Sequence, residues 1–120
     1  MGLVKVELEV SGDDGARRAV EFLVDSGAVY SVLPARDWRA LGLRPKRTLS
    51  FALADGTTIR RRISECRFHY EGIDAVSPVV LGQGADDALL GAVTLETLGL
   101  VLSPFDRTLR PMRMRLAALA

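Results

Sequence analysis

Phe22-Leu23-Val24-Asp25-Ser26-Gly27-Ala28 places an ionisable residue at the end of an apolar run, followed by a small hydroxyl and a glycine. If the run is a strand, the carboxylate sits against low-dielectric walls, Ser26 supplies hydrogen bonds, and Gly27 lets backbone approach a ligand unobstructed. Alone, Asp25-Ser26-Gly27 reads as a turn, because Asp and Gly favour turn geometry. The flanks alter that weighting. Apolar residues on both sides, from Phe22 to Val24 and at Ala28 and Val29, make this an unusually buried place for an ordinary turn.

Upstream, Val4, Val6, Leu8 and Val10 alternate with Lys5, Glu7 and Glu9, the period of a half-buried strand. Turn chemistry at Ser11-Gly12-Asp13-Asp14-Gly15 joins it to a more apolar strand over 18–24, so the pair reads as a hairpin. Downstream, an apolar run over 29–33 meets Pro34, which starts a short helix through Leu41 that Gly42 stops. Residues 48–53 and 57–63 flank Ala54-Asp55-Gly56, a strong hairpin signal. Its second arm carries Arg60, Arg61 and Arg62, which cannot all face a core, so the hairpin projects into solvent.

Runs over 65–70 and 73–81 form another hairpin about Glu71-Gly72, and residues 82–87 read as a flexible polar loop. A helix is expected over 92–98, ended by Gly99, then a strand over 100–102. Met112, Met114 and Leu116 alternate with Arg113 and Arg115 as a terminal strand. Many short strands with two short helices argue a mainly β, closed, barrel-like domain. An internal echo supports it: Asp25-Ser26-Gly27-Ala28 and Leu89-Leu90-Gly91-Ala92 each precede a short helix ending in Leu-Gly-Leu.

At 120 residues the chain suits a single domain over 1–120. Its 48% apolar and 26% charged composition is that of a folded globular protein. A formal net charge of +1 provides no field for nucleic acid or an anionic membrane. Apolar stretches are strand-sized, short of the ~20 residues a spanning helix needs, and residues 1–5 lack the core of a signal peptide. Cys66 stands alone, which excludes an intrachain disulfide and a metal site of paired thiolates and suits a cytoplasmic setting. It reads as a small buried residue on a strand.

Three elements in order carry a resemblance. Leu23-Val24-Asp25-Ser26-Gly27-Ala28, continued by Ser31-Val32-Leu33-Pro34, resembles the active-site loop of the retropepsin-like aspartic peptidases. Leu53-Ala54-Asp55-Gly56-Thr57 is similar to their flap tip, and Leu89-Leu90-Gly91 with the following helix resembles the element that supports the loop. The resemblance covers about residues 4–104. It implies the acid-protease fold with a flap hairpin at about 48–64, and an aspartic-type endopeptidase acting on peptide or protein substrates. With one Asp-Ser-Gly and too short a chain for two lobes, it implies a homodimer in which Asp25 meets its copy across a two-fold axis. Catalysis would need no metal or organic cofactor. Ser26 would bond across the dimer, Gly27 would contact substrate, and Leu23, Ala28, Val32, Leu53, Ile59, Val79, Val80 and Leu90 would line pockets for apolar side chains.

The chain departs from retroviral members where two acids follow the loop alanine and an arginine follows the later glycine. Val29, Tyr30 and Ala92 stand there. Loss of one charged partner makes the other a buried liability, so the absences agree with each other. The rival reading is a catalytically weak or inactive dimerisation or peptide-binding module on the same fold. His69 reads as an exposed or satisfied strand residue without nearby Cys or Ser partners rather than a catalytic base, Asp86 and Asp87 as solvated loop carboxylates, and the three arginines as a solvated hairpin face.

Overall fold

Alternation near the amino terminus becomes strand β1, Lys5–Ser11, which buries Leu8 and Val10. The computed structural model describes residues 3–103, 105–113 and 116. Strand β1 pairs antiparallel with β2, Arg17–Val24, from Lys5↔Leu23 to Ser11↔Arg17, and β2 turns Val20 and Phe22 inward. After a loop come β3, Ser31–Leu33, and helix α1, Ala35–Ala40. The chain continues through β4, Arg47–Ala52, β5, Thr58–Tyr70, and β6, Ile73–Leu81. It ends in β7, Leu89–Leu90, helix α2, Ala92–Leu98, β8, Leu100–Ser103, and β9, Thr108–Pro111.

Seven strands run in the order β1-β2-β7-β3-β6-β5-β4, and an added β1–β5 pairing closes six of them into a ring with β4 attached to β5. Strands β8 and β9 form a separate two-stranded sheet. This is the mainly β, barrel-like architecture expected from the sequence. Phe22 and Phe68 meet with ring centroids 5.8 Å apart, packed with Leu8, Val10, Leu33 and Leu90. Burying side chains of this size stabilises the fold by about 1.5–3 kcal/mol each.

Both helices end as their glycines require. Gly42 and Gly99 follow α1 and α2 with φ of 68° and 70°, a conformation that costs a side-chain-bearing residue dearly. The internal echo therefore persists in helix termination. Asp37 of α1 is buried, and its carboxylate accepts from Arg18 Nε on β2 at 2.9 Å, so the helix is clamped to the ring by a paired charge.

Two sequence expectations change. The strands expected over 57–63 and 65–70 merge into one continuous strand, β5, which starts at Thr58. Its first half pairs with β4 and its second with β6, while Ser64, where a break was expected, is buried and donates to the Arg44 carbonyl at 2.7 Å. The terminal strand lies earlier than the 112–116 alternation. Asp106 accepts from the Thr108 hydroxyl at 2.6 Å and so starts the β9 arm at Thr108, with Leu109 buried in the core. Met112, Arg113 and Leu116 are not in a strand, and Met114 and Arg115 lie outside the described residues. Among the described residues, no helix is long and apolar enough to cross a membrane.

Candidate active site

Strand β2 runs parallel to β7 through Leu23↔Leu89 and Val24↔Leu90, and the loop carrying Asp25 leaves at the end of that pairing. The Asp25 N–H donates to the Leu90 carbonyl at 3.0 Å. Its Oδ1 accepts the Gly27 N–H at 3.0 Å, and its carbonyl accepts the Ala28 N–H at 3.1 Å. The carboxylate is thus fixed by a local turn and a cross-strand bond. Asp25, Ser26 and Gly27 are exposed on the single chain, which differs from the low-dielectric surroundings expected. Past the last β2–β7 pair, no described residue of the same chain covers them.

Beneath the loop the support is buried. The first N–H groups of α2, which have no partner within the helix, donate to the loop carbonyls: Ala92 to Ala28 at 2.8 Å and Val93 to Val29 at 3.0 Å. A Cβ on Gly91 would lie 2.6 Å from the Tyr30 carbonyl carbon and oxygen, so only glycine allows this approach. The Gly91 N–H donates to Ser31 Oγ at 3.0 Å; that hydroxyl lies 2.5 Å from Thr94 Oγ1, which is 2.9 Å from Ser77 Oγ. All three hydroxyls are buried. A neutral network thus joins β3, α2 and β6 beneath the loop, and satisfied hydroxyls cost less to bury than ions.

A cavity of about 350 Å³ opens beside the loop. Among the residues expected at pockets, Ala28, Val32, Leu53, Ile59 and Val80 line it together with Gly27. Leu23, Val79 and Leu90 do not: Val79 and Leu90 lie in the core, and Leu23 lines a separate hollow beside Lys5 and Arg18. Strand alternation accounts for this, since Val79 and Val80 cannot both face one side. Sequence reasoning missed Val29, Tyr30, Phe51 and Leu89, and also Arg61, Asp86 and Asp87. Apolar character next to the motif could have flagged Val29 and Leu89; nothing local could have flagged the distant charges.

The β4–β5 hairpin contributes Phe51, Leu53 and Ile59 to one wall. At its tip, residues 53–57 are exposed, Gly56 has φ 86°, and the Leu53 N–H donates to the Thr57 carbonyl at 2.8 Å. Asp55 Oδ1 accepts from the Thr57 hydroxyl at 2.6 Å and the Thr57 N–H at 2.9 Å, bonds that hold its carboxyl below the usual range. Arg60 and Arg62 are exposed as expected, whereas Arg61 turns inward to Asp86.

Elsewhere, His69 Nε2 lies 3.0 Å from Ser11 Oγ, a partner that the β1–β5 pairing supplies and the linear sequence conceals. Burial pushes the Cys66 thiol up to about 12, the behaviour of a packed rather than a reactive cysteine. Among the described residues, no three His, Cys, Asp or Glu side chains converge as metal ligands.

A closed ring of strands, with an Asp-Ser-Gly loop braced from below by a short helix, defines the acid-protease class of fold. Residues 14–97 match the family described as "gag-polyprotein putative aspartyl protease", and the chain belongs to that retropepsin-like aspartic protease family. Among solved structures, the EIAV protease complexed with the inhibitor HBY-793 is similar. It has a TM-score of 0.62 and 17% identity over 82% of this chain and 89% of that one, a likeness of fold. No curated protein matches the chain.

Proposed function

We propose that the protein is a homodimeric aspartic endopeptidase in which Asp25 and its copy hold a water between them. The observation that carries this reading is the placement of Asp25: an exposed carboxylate on a loop braced by buried bonds, next to a largely apolar cavity. A rigid loop that leaves its functional group uncovered suits a site completed by a second copy across a two-fold axis. There the two carboxylates, brought close, share one proton because both cannot ionise cheaply. The ionised member takes a proton from the water as it attacks the scissile carbonyl, and the protonated member donates to the carbonyl oxygen. The chemistry requires no cofactor.

In this arrangement Ser26 bonds to the partner's loop and Gly27 meets substrate through its backbone. The hairpin at about 48–64 acts as the flap, and Val32, Leu53, Ile59 and Val80 seat apolar substrate side chains. The whole chain acts as one domain, and its single buried thiol suits a reducing cytoplasm. Val29, Tyr30 and Ala92, in place of charged residues, favour a second reading, a module that holds a peptide without cutting it.

Incubation with a diverse peptide library from mildly acidic to neutral pH, read by mass spectrometry, separates the two. The peptidase reading expects cleavage between apolar residues and a loss of at least about 10³-fold in Asp25→Asn, whose amide oxygen can still accept the Gly27 N–H. Stable binding with no cleavage by either protein supports the module. Sedimentation showing only monomer contradicts both.

A further inference from the structure

The cavity beside Asp25 carries three charged side chains, Arg61, Asp86 and Asp87, on a largely apolar wall. Two of them neutralise each other. Arg61 donates from Nε to Asp86 Oδ2 at 2.9 Å, and its Nη1 donates to the Arg60 carbonyl at 3.0 Å. Asp86 Oδ2 also accepts the Gln83 N–H at 2.9 Å, and the Arg61 guanidinium holds the Asp86 carboxyl below its usual range. A guanidinium occupied in this way leaves little for a ligand. Asp87 is exposed, and it has no ion-pair partner among the described residues. Asp87 also borders the hollow lined by Lys5, Arg18 and Arg36 without pairing to any of them, so the cavity keeps one carboxylate with no direct ion-pair partner among the described residues. Arg47 reaches the Tyr30 hydroxyl at 3.3 Å and does not line the cavity.

The position of Asp87 is constrained from both sides. Gly82, at the start of the loop, donates its N–H to the Leu33 carbonyl at 2.8 Å, and its own carbonyl accepts from Trp38 Nε1 at 2.9 Å. A Cβ there would come within 2.6 Å of the Leu33 oxygen. On the other side, the Ala88 carbonyl accepts the Leu23 N–H at 3.0 Å. With Asp86 pinned to Arg61, the lone carboxylate stands between two fixed neighbours.

Resting on the reading that this cavity takes substrate side chains, we infer that Asp87 is a specificity-determining residue selecting peptides with a basic side chain beside the apolar one seated against Val32, Ile59 and Val80. A lysine or arginine lays its methylene stem along the apolar wall and brings its charge to Asp87. An acidic side chain in the same place meets an unpaired carboxylate, so the selection is both attractive and repulsive. Two-fold symmetry repeats the preference on both sides of the cleaved bond.

The test uses one peptide frame with an apolar pair at the cleaved bond and Lys, Met or Glu at each flanking position in turn. With the wild-type chain, kcat/KM for the best Lys peptide exceeds that for its Met twin by about 2- to 5-fold, the range an exposed ion pair supplies. Asp87→Asn removes the preference, Asp87→Lys turns it toward Glu, and Arg61→Met, which leaves Asp86 unpaired, increases it. No Lys preference, or one that survives both Asp87 substitutions, overturns the inference, while cleavage lost in Asp25→Asn keeps the peptidase reading intact. If the wild-type chain cuts none of the peptides, that reading falls, and binding of the same peptides labelled with fluorescein decides the specificity. A Lys preference that disappears in Asp87→Asn supports the inference; equal binding or none overturns it.

Discussion

Asp25 and Asp55 each accept a backbone N–H from two residues on, from Gly27 at 3.0 Å and from Thr57 at 2.9 Å. Both stand in exposed turns containing a glycine. Below the Asp25 turn lie the Leu90 carbonyl, two N–H groups of α2, and the buried Ser31, Thr94 and Ser77 hydroxyls. Among the described residues, the Asp55 turn rests on its own hairpin alone, closed by the Leu53 and Thr57 backbone bonds and the Thr57 hydroxyl. The same local chemistry thus yields a rigid platform in one place and a self-contained tip in the other. What separates them is tertiary support, which suits the proposed roles of Asp25 as a fixed catalytic group and of the hairpin as a moving cover.

The largest expected effect comes from Gly91→Ala, which forces a Cβ into the Tyr30 carbonyl and disturbs the platform. A loss of about 3 kcal/mol in urea unfolding is expected. Thr94→Val removes the hydroxyl that Ser31 and Ser77 share, leaving Ser31 the Gly91 N–H and Ser77 the Pro78 carbonyl, and costs about 2 kcal/mol, with Thr94→Ser restoring most of it. Gly56→Ala meets open space but keeps a φ of 86°, so only backbone strain of about 1 kcal/mol applies. If Gly56→Ala cost more than Gly91→Ala, the contrast between tip and platform would be broken.

The smallest effect is in acid. The folded Asp55 carboxyl titrates below its unfolded value, chiefly through the Thr57 hydroxyl and then the Thr57 N–H. Its contribution is therefore complete above the unfolded pKa and disappears as pH falls through the folded one. Below about pH 4, hydrogen exchange of the Thr57 amide should quicken while that of Gly91, bonded to the neutral Ser31 hydroxyl, stays protected. Equal loosening of both would show that the tip and the platform open together.

Much of the fold was legible because its signals are local. Alternation over residues 4–10, Asp-Gly at 55–56 and the helix-ending Gly42 and Gly99 each act within a few residues of themselves. The continuity of β5 was hidden because Ser64 looks like a polar break, and only its distant partner, the Arg44 carbonyl, makes its burial tolerable. The Asp25 loop, and Val32, Ile59 and Val80 as cavity walls, were implied by the resemblance to a known family, and those three side chains do line the cavity. The Arg61–Asp86 pair and the Ser31–Thr94–Ser77 network could not be read, since their members are far apart in sequence and meet only in the folded chain. Exposure of Asp25 on one chain was equally illegible, because apolar flanks report the strand beneath a loop and not what covers it.

Mixing wild-type chains with increasing amounts of Asp25→Asn chains, at constant wild-type concentration, tests the paired carboxylate most directly. If each site takes one Asp25 from each of two chains, mixed dimers are inactive and peptide cleavage falls steadily as the variant is added, while wild-type specific activity alone rises with protein concentration. Cleavage that ignores the added variant and stays proportional to wild-type concentration, or cleavage by Asp25→Asn itself, would contradict it.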